Sequence, residues 1–109
     1  EGKDPKGNNI IRKKNEEIIA YSRIINLNND FCSIGRVLVK KESRKKGVGI
    51  KLMKKSIEEA TKEFIKRKIK ISAQEYLKKF YTNLGFKHTG KSYLEDGIPH
   101  IEMISNLKR

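Results

Sequence analysis

The chain has 109 residues, of which 26 are lysine or arginine and 13 are aspartate or glutamate, giving a formal net charge of +13. This length is expected to hold one small domain with a single layered core, and it leaves no room for a second. The cationic excess predicts affinity for an anion such as a phosphorylated ligand, a nucleic acid or an acidic membrane. The lysines are spread along the whole chain, however, which is also the pattern of an ordinary solvated surface.

The first part of the chain predicts a meander of three antiparallel strands. Residues 1–9 have a turn-rich composition without periodicity and are expected to form a loop. Apolar runs then predict strands at Ile10–Arg12, Glu17–Ile25 and Ser33–Val39, separated by polar turns. The last of these ends in a continuous aliphatic run, which is typical of a strand covered on both faces.

The second part predicts a strand-helix-strand crossover followed by a helix and a hairpin. Apolar residues at helical spacing predict helices from Val48 to about Lys66 and from Gln74 to Leu84, the second ending at a left-handed Gly85. Alternation over Ile69–Ala73 predicts a half-buried strand parallel to the one before the first helix. Phe86–Thr89 and Ile101–Leu107 are expected to pair, with a turn that includes Glu95–His100.

The junction before the first helix has the chemistry of a phosphate site. Arg44, Lys45 and Lys46 precede Gly47-Val48-Gly49, so cations and a glycine-rich backbone stand where unpaired helix N–H groups point outward. An ordinary basic turn is the alternative. The spacing excludes a Walker loop, and it excludes the dinucleotide fingerprint because Leu52 stands where that motif needs a third glycine.

Two motifs resemble the GNAT acetyltransferase superfamily. The first is Arg44-Lys45-Lys46-Gly47-Val48-Gly49, which is similar to the Arg/Gln-x-x-Gly-x-Gly/Ala signature. The second, Phe80-Tyr81-x-x-x-Gly85-Phe86 followed by Glu95-Asp96-Gly97-Ile98-Pro99-His100-Ile101, resembles the ElaA-like subgroup. The likeness extends from about Ile18 to Met103. Members usually begin with a further strand and one or two helices, so the chain is expected to lack that amino-terminal part.

The resemblance implies an α/β (α+β) fold: a mixed, mostly antiparallel sheet with one parallel pair and two main helices. It also implies an N-acetyltransferase that moves an acetyl group from acetyl-CoA to a small-molecule or peptide primary amine by direct attack. Coenzyme A would contact Val37, Leu38, Val39, Arg44, Lys45, Lys46, Gly47, Val48, Gly49, Ile50, Gln74, Leu77 and Phe80. The backbone N–H of Leu38 or Val39 is the candidate oxyanion donor.

Tyr81 matches the general acid of the family. A phenol stays protonated at neutral pH and can donate to a departing thiolate, although a tyrosine beside Phe80 on an apolar stripe is also an ordinary core residue. The base that deprotonates the amine stays open. Glu75, Asp96 and His100 are candidates for substrate binding or for this role, a structural role is the alternative for each, and a water chain could replace a dedicated base.

The composition also bears on location, on metals and membranes, and on competing functions. Cys32 is the single cysteine, so a disulfide within the chain is excluded and a cytoplasmic location is expected. No metal site, membrane span or leader is expected. The competing interpretations are a basic nucleic-acid-binding module and an acyl-CoA sensor of the same fold. A monomer and a homodimer both stay open, as does the acceptor amine.

Overall fold

The structure is a computed structural model that describes residues 2–3, 9–14, 17–41 and 47–105. Within these ranges the chain forms a seven-stranded sheet and two helices. The strands are β1 Gly2–Lys3, β2 Asn9–Lys14, β3 Glu17–Asn26, β4 Phe31–Val39, β5 Lys68–Gln74, β6 Phe86–Glu95 and β7 Ile98–Ser105. The helices are α1 Val48–Glu63 and α2 Lys78–Thr82, with a 3-10 turn at Glu75–Leu77 directly before α2.

The strand order is β1-β2-β3-β4-β5-β7-β6. β4 and β5 run parallel, and every other neighbouring pair in the described ranges is antiparallel. Because α1 connects β4 to β5, the predicted crossover is confirmed, as is the mixed sheet with one parallel pair. The predicted meander corresponds to β2, β3 and β4.

The core lies where α1 packs across β2, β3 and β4. Leu52 and Met53 of α1 are almost fully buried, and each such side chain contributes about 2 kcal/mol by leaving water. Ser56 faces the same way, and its hydroxyl lies 2.7 Å from that of Ser22 on β3. This bond satisfies two buried hydroxyls, so burying them between the helix and the sheet carries little cost.

The outer face of α1 is charged, as its periodicity predicts. Glu58 and Lys62 pair at 3.4 Å, and Lys55 lies 3.3 Å from Glu59. Such pairs on an exposed helix face each contribute only a few tenths of a kcal/mol. They identify this face as a solvated surface.

The beginning of the chain differs from the predicted loop over residues 1–9. Gly2–Lys3 pairs with Ile10 and Ile11 of β2, and Asn9 already belongs to β2. The prediction was therefore wrong at these residues. Glycine-rich and polar composition disfavours a strand, but an unpaired edge of β2 supplies hydrogen-bond partners that composition does not reveal.

Both helices are shorter in the structure than the sequence pattern predicts. α1 ends at Glu63, and Lys66 has a φ of 74° in the turn beyond it. The second helix does not start at Gln74, because that residue pairs with His100 and belongs to β5. Gly85 adopts the expected left-handed conformation, with a φ of 100°.

The last hairpin is longer than predicted. β6 continues to Glu95 and β7 starts at Ile98, so a tight turn of Asp96 and Gly97 joins them with φ values of 53° and 76°. His100 consequently lies in β7, and its predicted position in a loop was wrong. The sequence pattern did not predict the full length of β6, because the middle of this strand is exposed and carries polar residues.

Cys32 is buried at the point where β4 meets β5. Burial raises the pKa of its thiol above the ordinary value of 9.0. The residue therefore acts as a small apolar group in the core. Across the described ranges, none of the helices has the length and apolar character needed to cross a bilayer.

Candidate active site

The site begins where the parallel strands separate. β4 and β5 pair at Phe31 with Lys68 and at Cys32 with Ile69, and the pairing stops there. Further along, β4 has one extra residue opposite β3, because Gly35 to Leu38 spans three steps while Arg23 to Tyr21 spans two. A bulge bends a strand and increases its twist. Beyond the last paired residues a cleft lies between β4 and β5, next to this bulge.

This cleft has a volume of about 580 Å³. One wall is β4, the other is β5 with the turn after it, and residues of α1, α2 and β7 complete the lining. The described residues that line it are Ile34, Gly35, Val37, Leu38, Val39, Gly49, Met53, Ile71, Ser72, Ala73, Gln74, Tyr76, Leu77, Phe80, Tyr81 and His100. Most of the predicted coenzyme contacts are thus brought together on both walls.

The amino terminus of α1 borders the cleft through Gly49. The helix follows Gly47, whose φ is 75°, and it has neither a side-chain cap nor an acidic residue in its first turn. Its first hydrogen bond joins the Lys51 N–H to the Gly47 carbonyl. The N–H groups before Lys51 therefore have no partner within the helix, which is the arrangement that binds anions.

Gly49 leaves space that a side chain would fill. A Cβ at this position would lie 3.9 Å from Phe80 and 4.0 Å from Val39, both of which line the cleft. Larger side chains would project between these two residues. The position therefore keeps the passage between α1 and β4 open.

Not every predicted coenzyme contact lies on the cleft wall. The Val48 side chain is buried in the core and that of Ile50 is 44% exposed. Arg44, Lys45 and Lys46 lie outside the described residues, so their predicted role stays a prediction.

Tyr81 lies on α2 with its ring packed edge-on against Phe80 and Phe86, at centroid distances of 5.0 and 6.0 Å. The residue is 7% exposed and lines the cleft. Burial raises the pKa of its phenol, and the nearby Tyr76 raises it further. The phenol is therefore a proton donor at neutral pH, and it is both a core residue and a cleft residue.

A polar network lies next to the cleft: His100 and Ser72 belong to the described residues that line it, whereas Tyr93 and Glu95 do not. His100 is 7% exposed, its Nε2 lies 3.6 Å from Glu95 Oε2, and its Nδ1 lies 2.8 Å from the Ile98 carbonyl oxygen. The Tyr93 hydroxyl donates to Ser72 Oγ at 2.5 Å, and the Ser72 hydroxyl donates to Glu95 Oε1 at 3.4 Å.

Three members of this network were not predicted from the sequence, namely Ser72, Tyr93 and Glu95. The alternation of β5 already placed Ser72 on the face opposite Ile71 and Ala73. The other two residues could not be placed without knowing that β6 extends to Glu95. Register then brings Tyr93 opposite His100.

The other two base candidates are not on the cleft wall. Glu75 is exposed on the 3-10 turn, and Asp96 is exposed in the tight turn of the hairpin. Neither belongs to the described residues that line the cleft.

Comparison with known proteins identifies this architecture. Residues 3–107 match the family described as Acetyltransferase (GNAT) domain. The chain belongs to the GNAT acetyltransferase family. This GNAT domain is 39% identical to Protein ElaA of Escherichia coli, in an alignment that covers 94% of this chain and 70% of that protein. It is 42% identical to the UPF0039 protein C11D3.02c of Schizosaccharomyces pombe, over 89% of this chain and 65% of the relative.

Solved structures agree with the fold. The crystal structure of Escherichia coli ElaA superposes with a TM-score of 0.83 at 36% identity, covering 89% of this GNAT domain and 66% of that chain. An acyl-CoA N-acyltransferase from Pseudomonas aeruginosa gives the same TM-score at 29% identity and the same coverage. The chain therefore spans about two thirds of the length of the relatives it matches.

Proposed function

We propose that this domain transfers an acetyl group from acetyl-CoA to a primary amine by direct attack, as a cytoplasmic enzyme. The observation that carries the proposal is the cleft between β4 and β5, with the uncapped end of α1 on one side and the Tyr81 side chain in its wall. Among the relatives of the same fold, one from Elizabethkingia anophelis was crystallised with acetyl-CoA bound. At 19% identity that relative supports the fold and not the ligand.

The donor fits the residues at the end of α1. Its phosphates would meet the N–H groups of the first turn, where no acidic side chain competes. Arg44, Lys45 and Lys46 would add attraction from the segment just before Gly47. The pantetheine arm would follow β4 along Val37–Val39, in the manner of an added strand.

Stabilisation of the oxyanion is assigned to the backbone N–H of Leu38 or Val39, on the bulged end of β4. A single donor of this kind is commonly worth about 3 kcal/mol in the transition state. The bulge supports the assignment, since it turns this part of β4 away from β5.

Tyr81 would return a proton to the departing thiolate. A free thiol has a pKa near 8.5, so a phenol whose own pKa is raised above 10.0 by burial is fully protonated when the thiolate appears. Across the described part of the chain, no recorded hydrogen bond engages the Tyr81 hydroxyl, which leaves this group available to the sulfur.

The test is Tyr81→Phe, which removes the hydroxyl and keeps the packing against Phe80 and Phe86. We expect kcat to fall about 100-fold, because the acid is lost, while the affinity for coenzyme A stays within about twofold. Thiol release and calorimetry measure the two quantities. Tyr21→Phe is the matched control, since the Tyr21 hydroxyl donates to Asn9 away from the cleft. Equal loss of turnover and affinity would contradict the assigned role. Coenzyme A binding without any turnover would instead favour the sensor.

A further inference from the structure

Two proton acceptors face each other next to the cleft: His100 belongs to its lining, and Glu95 contacts the lining residues His100 and Ser72 from outside it. The His100 Nδ1 lies 2.8 Å from the Ile98 carbonyl oxygen, and because a carbonyl can only accept, Nδ1 carries the proton in this bond. In the neutral ring, Nε2 then has a lone pair. Glu95 Oε2 lies 3.6 Å from that nitrogen and is also an acceptor. Glu95 Oε2 and His100 Nε2 can both form hydrogen bonds here only when a cationic donor or an extra proton lies between them.

We infer that Glu95 and His100 form the subsite for the acceptor amine, which arrives as a primary alkylammonium ion. The ammonium carries three N–H donors and can meet Glu95 Oε2 and His100 Nε2 together. This inference rests on the proposed function, because the cleft that His100 lines is also lined by Tyr81. It assigns the base that the sequence left open.

The geometry of the subsite is held from two sides. Tyr93 donates to Ser72 and Ser72 donates to Glu95 Oε1 over a long 3.4 Å, so one carboxylate oxygen faces Ser72 and the other faces His100. The Tyr93 ring also stacks on the imidazole at 6.3 Å and an interplanar angle of 20°. Tyr93 and Ser72 are therefore positioning residues.

Other charged groups of the same sheet face are occupied elsewhere. Lys70 lies over the Phe31 ring at 4.2 Å, and Glu102 accepts a hydrogen bond from Thr89 at 3.0 Å. Tyr76 and Tyr81 face the cleft from the other side. In the described ranges, Glu95 is the carboxylate recorded within 4.0 Å of the imidazole. The negative charge next to His100 Nε2 therefore comes from the Glu95 carboxylate.

Each proton in the proposed reaction has a donor and an acceptor. His100 Nε2 takes one proton from the ammonium ion, which leaves a neutral amine and an imidazolium next to Glu95. The amine nitrogen forms its bond to the acetyl carbon, the carbon-sulfur bond breaks, and the sulfur takes the Tyr81 proton. The nitrogen then releases its surplus proton, which restores Tyr81, and the imidazolium loses its proton to water beside the exposed Glu95 carboxylate.

Binding can be tested without turnover. Butylammonium is added to the protein saturated with coenzyme A, and the His100 ring signals are followed by NMR, with His88→Gln used to assign the two histidines. We expect a saturable shift of the His100 signals, none with neutral butanol, and about tenfold weaker binding in Glu95→Gln. Glu102→Gln is the matched control on the same face and should bind as the wild type does. An unmoved His100 signal, or equal binding by Glu95→Gln, overturns the subsite.

Turnover gives the second readout. With butylamine as the acceptor, His100→Gln should lower kcat/KM about 100-fold. Affinity for coenzyme A should not change in this variant. Failure of wild-type protein to bind coenzyme A would refute the proposed function alone. Coenzyme A binding with an unchanged kcat/KM in His100→Gln would refute the assignment of the base alone.

Discussion

At the scale of single residues, Gly49 shows how local geometry separates stability from binding. It lies at the second position of α1, where glycine is less favourable than alanine. The space around its Cα is ordinary for a methyl group, with contacts of 3.9 and 4.0 Å to Phe80 and Val39. Everything beyond a methyl group would enter the cleft.

Substitutions at Gly49 should therefore diverge. Gly49→Ala should raise the free energy of unfolding by about 0.5 kcal/mol and leave coenzyme A affinity within a few fold, because the methyl fits. Gly49→Trp should block coenzyme A while the protein remains folded. Urea unfolding and calorimetry measure the two effects, and Thr61→Ala, at the far end of α1, is the control for a propensity change outside the cleft. Unaltered coenzyme A affinity in Gly49→Trp would contradict the proposal that the phosphates bind at the start of α1.

Two local motifs nominated part of the candidate site through their resemblance to the GNAT family. They nominated Tyr81, before Gly85-Phe86, and Gly49, in the glycine bend that opens a helix. His100 was nominated as well, but its environment was not. Its ring faces Glu95 and stacks on Tyr93 only because the register of β6 and β7 places them together.

At the scale of elements, the hairpin of β6 and β7 decides where the polar network lies. Its turn uses Asp96 and Gly97 at positive φ, as a two-residue turn between twisted strands requires. Sequence analysis expected a longer turn because β6 carries exposed polar residues over much of its length. Glu95 and His100 flank this turn, so its conformation fixes their separation.

The turn can be tested by Gly97→Ala. The Cβ would meet nothing within 4 Å, so the expected destabilisation of about 1 kcal/mol comes from the left-handed backbone alone, at a φ of 76°. Asp96→Asn should be neutral or slightly stabilising, since asparagine favours this conformation. Urea unfolding measures both variants. A Gly97→Ala protein as stable as the wild type would show that the turn adopts another conformation in solution.

Among the other elements, some were predicted from local patterns and others were not. The strand-helix-strand crossover was predicted because its signals are long and periodic. The second helix was predicted to start at Gln74, but backbone pairing with His100 holds that residue in β5. Hydrogen bonds to a distant strand thus override a local helical pattern.

At the scale of the whole molecule, the net charge of +13 acts on any anionic ligand. The molecule measures 41 × 31 × 24 Å, while the screening length is about 30 Å at 10 mM salt and about 10 Å at 100 mM. At low salt the entire charge attracts the ligand. At physiological salt only the charges close to the cleft still contribute.

Affinity for coenzyme A should accordingly fall about tenfold between about 10 and 200 mM salt, mostly through slower association. Stopped-flow binding at several salt concentrations measures the rates. Pantetheine, which lacks the phosphates, is the control and should show almost no salt dependence. Association that is equally fast at all salt concentrations would exclude this role of the net charge.

The sequence by itself determined the family, the crossover around α1, the glycine bend and the tyrosine of α2. Each of these is encoded by neighbouring residues, whose spacing and propensity act locally. Only the tertiary structure decided the separation of β4 from β5, the length of the last hairpin and the meeting of Glu95, Tyr93 and His100 with Ser72. These features depend on strand register and on a bulge, and residues far apart in the chain fix both through backbone hydrogen bonds that no local pattern records.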